Sequence, residues 1–196
     1  MKPIPRILFG LSLFISIQTL TTYAESNTYQ IDPIHSSVWF RVLHLNVSPA
    51  YGAFGDISGT IQFDTEHTDK SSIEVTIKTA SVNTLNDKRD EHLRSADFFN
   101  VEQFPEAKFK SNSWEQIDEN RYRIKGILTL LGVDKPIEFE ARLVGSGKGR
   151  NDEDRIGFEG VFTIKRSDFG MVKYLPSQIG DEVSITVGIE AEKVTK

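Results

Sequence analysis

The sequence contains no cysteine. This absence excludes a disulfide framework, cysteine-ligated zinc, an iron–sulfur cluster, a cysteine nucleophile and a lipidated cysteine anchor. Basic residues are also in the minority, with 23 Lys and Arg against 28 Asp and Glu. An acidic chain lacks the basic face that sequence-independent binding of nucleic acid needs, so we expect no nucleic-acid partner. A length of 196 residues predicts one domain, or two at most, with a real core.

Long hydrophobic runs are missing except at the N-terminus. There a short positive start with Lys2 and Arg6 precedes an uncharged apolar stretch from Ile7 to Ile17. A small residue, Ala24, follows at a suitable distance, and this order predicts a secretory signal peptide over residues 1–24. The alternative is an uncleaved membrane anchor, but the stretch is shorter than the roughly 20 apolar residues of a spanning helix. The mature domain is then residues 25–196.

Alternation of apolar and polar side chains is the dominant pattern after the leader. It predicts about eight strands, each with one apolar face, over residues 37–42, 57–63, 73–78, 107–112, 121–130, 137–143, 156–165 and 183–191. Short polar turns between them predict antiparallel neighbours. Strands that are apolar on one face need a partner surface, so the fold is either a sandwich or a closed barrel.

Two segments interrupt the alternation. Residues 86–94 are charged and compatible with a surface helix, with Asn86 as its N-cap. Residues 167–180 form a long connection that contains Gly170, Pro176 and Gly180. Long insertions of this kind in a β-protein are typical of a segment that lies over an open end.

The candidate metal ligands and catalytic groups include four histidines: His35, His44, His67 and His92. They show no HxH or HExxH spacing, and the odd separation of His35 from His44 places them on opposite faces of one strand. We therefore predict no metal site. His44 continues the inward face of its strand, where it is either a hydrogen-bonded histidine at the rim or a polar contact for a ligand headgroup.

Signatures of catalysis are also missing. The sequence has no GxSxG elbow and no glycine-rich phosphate loop at the start of a helix. Ser36 follows His35, but neighbouring strand residues point to opposite faces and do not pair as nucleophile and base. We predict no catalytic residues.

The apolar face itself is the remaining functional feature. A barrel of eight strands either fills its interior with its own side chains or encloses one small ligand. A cavity lined by aliphatic and Phe side chains suits a hydrocarbon chain. The inward residues predicted to line it are Val38, Phe40, Val42, Phe54, Ile61, Phe63, Val75, Ile77, Phe109, Leu128, Leu130, Phe139, Phe158, Phe162, Ile185 and Val187, with His44 at the rim.

Short motifs in a fixed order carry a family resemblance. They are His35-Ser36, His44, Arg89-Asp90, His92-Leu93, Asp97-Phe98-Phe99, Gly126-Ile127-Leu128-Thr129-Leu130, Lys135-Pro136, Arg166-Ser167-Asp168-Phe169-Gly170 and Gly180-Asp181-Glu182-Val183. Taken in order, over about residues 29–191, they resemble the YceI-like family of exported bacterial proteins. One departure is Asp134, where the family more often has Thr, and it lies in a turn.

The resemblance implies an all-β fold, an eight-stranded antiparallel lipocalin-like barrel with one or two short helices near an opening. It implies a periplasmic protein that holds a polyisoprenoid or similar lipid, such as an isoprenoid quinone, as cargo in an apolar channel. It carries over no catalytic motif and no cofactor. Arg166 and Asp168 are expected to tie the long loop to the barrel, and Gly170 to supply a bend.

Three functional hypotheses follow. The first is a protein that sequesters or carries a long-chain lipid. The second is a lipid-modifying enzyme that uses His44 or His92 with a nearby carboxylate. The third is a structural or interaction module with a dry, filled barrel. Association into a homodimer is left open.

Overall fold

The computed structural model describes residues 27–195. The predicted signal peptide, residues 1–24, lies outside the described residues. The strands are β1 (Asn27–Ile31), β2 (Ser37–His44), β3 (Ser48–Phe54), β4 (Ile57–Phe63), β5 (Ser72–Lys78), β6 (Val82–Asn83), β7 (Glu106–Gln116), β8 (Arg121–Leu130), β9 (Val133–Lys148), β10 (Asp154–Lys165) and β11 (Ile179–Lys193). Helix α1 spans Asp87–Arg94, and short 3-10 turns cover Thr68–Lys70, Thr79–Ser81 and Arg166–Phe169.

Eight of the strands form a closed antiparallel ring. The order is β1-β4-β5-β7-β8-β9-β10-β11, and pairing of β1 with β11 closes it. The predicted eight-stranded antiparallel barrel is therefore confirmed. One strand of the ring differs from the expectation, because β1 and not β2 completes it. Strand β2 pairs with β11 and lies outside the ring together with β3 and β6.

This arrangement arises because two successive strands share one edge of β11. Both β1 and β2 pair with the same edge of β11, with β1 beside Ala191–Lys193 and β2 beside Ile179–Gly188. Between them the buried Ser36 hydroxyl donates to the carbonyl of Glu190 (3.2 Å) and accepts from its amide (3.0 Å). Ser36 thus fills a gap in the hydrogen-bond ladder, a structural role.

The two ends of the barrel differ. Where β1 pairs with β4, an aromatic cluster of Phe63, Trp114, Tyr122 and Phe158 packs the interior, with ring centroids 5.3–6.2 Å apart. At the other end the sheet widens into the β2–β3 hairpin and the short β6. The result is one packed end and one open end.

Helix α1 lies at the open end, as the family resemblance implied. The Asn86 side chain accepts a hydrogen bond from the Arg89 amide at 3.0 Å and caps the helix. At the other end of the helix, Arg94 donates to the carbonyls of Ala80 and Val82, each at 2.8 Å. These bonds fix the helix beside the opening.

Candidate ligand-binding cavity

A cavity of about 1140 Å³ lies inside the barrel toward its open end. It is larger than the roughly 300–1,000 Å³ of ordinary small-molecule pockets. Its mouth is bordered by the β2–β3 hairpin, α1 and the loop before β11, and its inner end reaches Trp114 and Phe158. A barrel filled by its own side chains was the alternative interpretation of the sequence. In the described residues the interior is filled in this way only at the closed end.

Most of the residues predicted to line a channel do line this cavity. Alternation on the strands places their side chains on the inner face, as period two requires. The residues are Val38, Phe40, Val42, His44, Phe54, Val75, Ile77, Phe109, Leu128, Leu130, Phe139, Phe158, Phe162, Ile185 and Val187. Their contact with a ligand stays a prediction.

Two predicted residues, Ile61 and Phe63, lie elsewhere. Both are buried, at 0% and 4% exposure, within the packed core beyond the inner end of the cavity. Phe63 contacts Phe158 at a centroid distance of 5.3 Å and Tyr122 at 5.6 Å. The prediction that they line the channel is corrected because aromatic rings fill the barrel where β4 pairs with β1.

Trp114 is a lining residue that alternation did not reveal. A β-bulge between Ser111 and Ser113 adds one residue to β7, so that Ser111 and Trp114 are both buried. An inserted residue reverses which positions face inward, and strict alternation ends at that point. The bulge has no signal in the sequence of β7 that would have located it.

Side chains outside the strands complete the mouth. Leu93, Phe98 and Phe99 approach from α1 and the turn after it, and Met171 and Tyr174 approach from the loop before β11. The Phe98-Phe99 pair was visible in the sequence as an apolar step after a charged helix. The sequence does not predict that the pair lines the cavity, because this depends on where the helix packs in three dimensions.

His44 lies at the rim, at the end of β2, and its side chain is exposed while it borders the mouth. Its backbone carbonyl accepts from the amide of Val47 at 3.0 Å, whereas its imidazole has no hydrogen-bond partner among residues 27–195. The expectation of a hydrogen-bonded rim histidine is therefore not met.

His92 lies at the mouth and pairs with a carboxylate. Its Nε2 is 2.9 Å from Oδ2 of Asp97, which also accepts a bond from Lys173 at 3.0 Å. These two partners lower the pKa of Asp97. The imidazole also meets Phe98 and Tyr174 edge-on, at centroid distances of 5.0 and 6.0 Å. The contacts connect α1 to the loop before β11.

Arg166 organises that loop, as the family resemblance implied. It is 3% exposed. Its guanidinium donates at 2.8–3.0 Å to the carbonyls of Met171 and Lys173 in the loop and of Ile179 and Gly180 at the start of β11. Burial lowers the pKa of Arg166. Gly170 supplies the expected bend at φ +80°.

The carboxylate in this region is a different one from that expected. Asp181, rather than the exposed Asp168, accepts hydrogen bonds from the amide and hydroxyl of Ser167, at 2.9 and 2.7 Å. These bonds lower the pKa of Asp181. The prediction that Asp168 ties the loop is thus corrected in favour of Asp181.

Asp32, His35 and Glu190 form a cluster at the closed end with the composition of a metal site. Arg155 already pairs with both of its carboxylates, because Nη1 donates to Asp32 at 2.7 Å and to Glu190 at 2.6 Å. Hydrogen bonds from His35 and Arg155 hold the pKa of Asp32 well below its usual range. The cluster is an ion-pair network between strands.

Within residues 27–195, no helix has the length and apolar character needed to cross a bilayer.

Comparison with known families identifies the family of this chain. The YceI-like domain matches residues 29–191. The chain belongs to the YceI-like family. This YceI-like chain is 40% identical to Protein YceI of Escherichia coli O6:H1 over 185 residues, which is 93% of the chain and 95% of that relative. The resemblance inferred from the ordered motifs is confirmed.

Solved structures agree with the barrel. BcnA of Burkholderia cenocepacia superposes with a TM-score of 0.75 at 26% identity, over 82% of this YceI-like chain and 99% of BcnA. A polyisoprenoid binding domain from Saccharophagus degradans superposes with a TM-score of 0.65 at 19% identity, over 85% and 98% of the two chains. The second likeness concerns the fold alone.

Proposed function

We propose that this protein binds a polyisoprenoid, or a similar long-chain lipid such as an isoprenoid quinone, inside the barrel and carries or sequesters it. The observation that carries the proposal is the cavity of about 1140 Å³, whose walls are mainly aliphatic and Phe side chains and whose mouth is open. A hydrocarbon chain that enters it leaves water along its length.

The energetics favour a long chain over a compact ligand. Each buried methylene contributes about 0.8 kcal/mol, so several enclosed isoprene units supply substantial affinity without a specific headgroup contact. His44, Arg89 and His92 lie at the mouth end of the lining. A lipid headgroup is therefore expected at the mouth, with its tail toward Trp114.

The structural neighbour supports the same ligand class, since that domain is described as polyisoprenoid-binding and shares the barrel. A periplasmic location rests on the signal peptide predicted over residues 1–24. N-terminal sequencing of the mature protein from a periplasmic extract tests it, with cleavage after Ala24 as the expected result.

Native mass spectrometry and organic extraction of the purified protein test the binding proposal. We expect a co-purifying lipid or, after delipidation, stoichiometric uptake of polyprenols or isoprenoid quinones. A lipid-free protein that takes up neither class contradicts the proposal. The variants His44→Ala and His92→Ala separate binding from catalysis: we expect both to retain uptake and to leave the bound lipid chemically unchanged. Turnover by the wild type that either variant abolishes favours the enzyme hypothesis.

A further inference from the structure

The cavity ends at two aromatic side chains that face it on one side and the packed core on the other. Trp114 and Phe158 both line the cavity. Their rings meet edge-on at a centroid distance of 5.7 Å. Behind them lie Phe63, 5.3 Å from Phe158, and Tyr122, 5.9 Å from Trp114. These two lining rings form the floor of the cavity.

The floor is held rigidly. Trp114 is 4% exposed, and its indole Nε1 donates to the hydroxyl of Ser111 at 3.2 Å. The same hydroxyl accepts a hydrogen bond from the backbone amide of Ile73 on β5 at 2.9 Å. Because buried polar groups lose much free energy when they give up such bonds, the indole is fixed in its orientation.

We infer that Trp114 is a specificity-determining residue, whose ring sets the length of isoprenoid chain that the barrel encloses. The inference rests on the proposed function, because it requires a tail that enters from the mouth and extends toward the floor. The mouth is open, so a longer chain still binds and leaves its excess outside. Enclosed length, and with it affinity, then reaches a limit at the floor.

This arrangement predicts a breakpoint in affinity against chain length. Each additional enclosed methylene is expected to tighten binding about fourfold. Once the tail reaches Trp114, further methylenes remain in water and affinity levels off. The chain length at which it levels off reports the depth of the cavity.

The experiment measures dissociation constants for a series of linear polyprenols of increasing length by competition in native mass spectrometry. Removing the indole in Trp114→Ala joins its volume to the cavity, and the breakpoint is expected at a longer chain. Trp114→Phe retains an aromatic ring against Phe158 and serves if the alanine variant does not fold. It is expected to shift the breakpoint in the same direction by a smaller amount.

An opposite change gives an independent test. Ala141 is buried and lines the cavity on β9, opposite Tyr122 of β8 in the register. Ala141→Leu adds volume there, and the breakpoint is expected at a shorter chain. Ile57→Val is the matched control, because Ile57 is a core residue at 1% exposure that lies away from the lining. Its breakpoint is expected to equal that of the wild type.

The outcomes separate this inference from the proposed function. Wild-type protein that binds no polyprenol or quinone overturns both. Wild-type binding with the same breakpoint in folded Trp114 variants and in Ala141→Leu overturns the inference and leaves lipid binding intact. A breakpoint at a longer chain in the Trp114 variants and at a shorter chain in Ala141→Leu, with no change in Ile57→Val, supports the inference that Trp114 limits the enclosed chain length.

Discussion

At the scale of single residues, Gly59 determines how closely two strands of the ring approach. It lies on β4 with φ +151°, a backbone conformation that side chains with a Cβ rarely adopt. A Cβ added there would overlap the carbonyl oxygen of Glu74 on the neighbouring β5. Relief of this overlap would force the paired backbones of β4 and β5 apart.

Gly59→Ala is therefore expected to lower the free energy of unfolding by about 2 kcal/mol or more, from backbone strain and steric overlap together. Urea denaturation followed by circular dichroism measures it. Gly188→Ala is the control, because an added Cβ at Gly188 meets no atom within 4 Å. Equal stability losses in the two variants would contradict the argument.

At the scale of elements, the network around Arg155 on β10 joins β11 to Asp32, the residue that directly follows β1, at the closed end. Its guanidinium reaches Asp32, Glu153, Glu190 and Glu192 at 2.6–3.3 Å. Hydrogen bonds from His35 and Arg155 lower the pKa of Asp32. A lowered carboxyl pKa contributes stability that is present at neutral pH and is lost as pH falls below the ordinary value.

Arg155→Met is expected to destabilise the protein most at neutral pH, because it leaves like charges on Asp32, Glu190 and Glu192 without their cation. The stability difference from the wild type should shrink as pH falls below about 4, where the carboxylates of the unfolded chain become protonated. Denaturant melts at a series of pH values measure it. Arg142→Met, which removes an exposed pair with Glu159, should change little. A difference that grows toward acid pH would refute this account.

The sequence was informative about elements to different degrees. Long strands with one wet face, such as β8 and β11, follow directly from alternation, and α1 follows from its Asn86 cap. The strand β1 was missed because it is short, and β3 because Pro49 and Gly52 dilute its apolar pattern. Ring closure through β1, and the bulge that turns Trp114 inward, depend on pairing between distant segments. Local patterning contains no information about such pairing.

At the scale of the whole molecule, the barrel divides the tasks of stability and binding between its ends. The closed end contains the aromatic cluster and the Arg155 network. The open end holds a large volume without packed side chains, and the loop there is fixed by the hydrogen bonds of Arg166 together with the buried Phe169. A protein that leaves so much apolar wall unfilled gives up packing energy that a ligand can restore.

Removal of the lipid is therefore expected to lower the melting temperature. A ligand that binds the folded state alone stabilises it by about 2.7 kcal/mol at a hundredfold excess over its dissociation constant. For a chain of this size that amounts to a shift of about 5–10 °C. Thermal melts before extraction, after extraction and after refilling with a long polyprenol measure it. Geraniol is the matched control, since its short chain buries few methylenes and should restore little of the loss. If lipid-filled and lipid-free protein, verified by mass spectrometry, melt at the same temperature, the unfilled cavity is not compensated by its cargo.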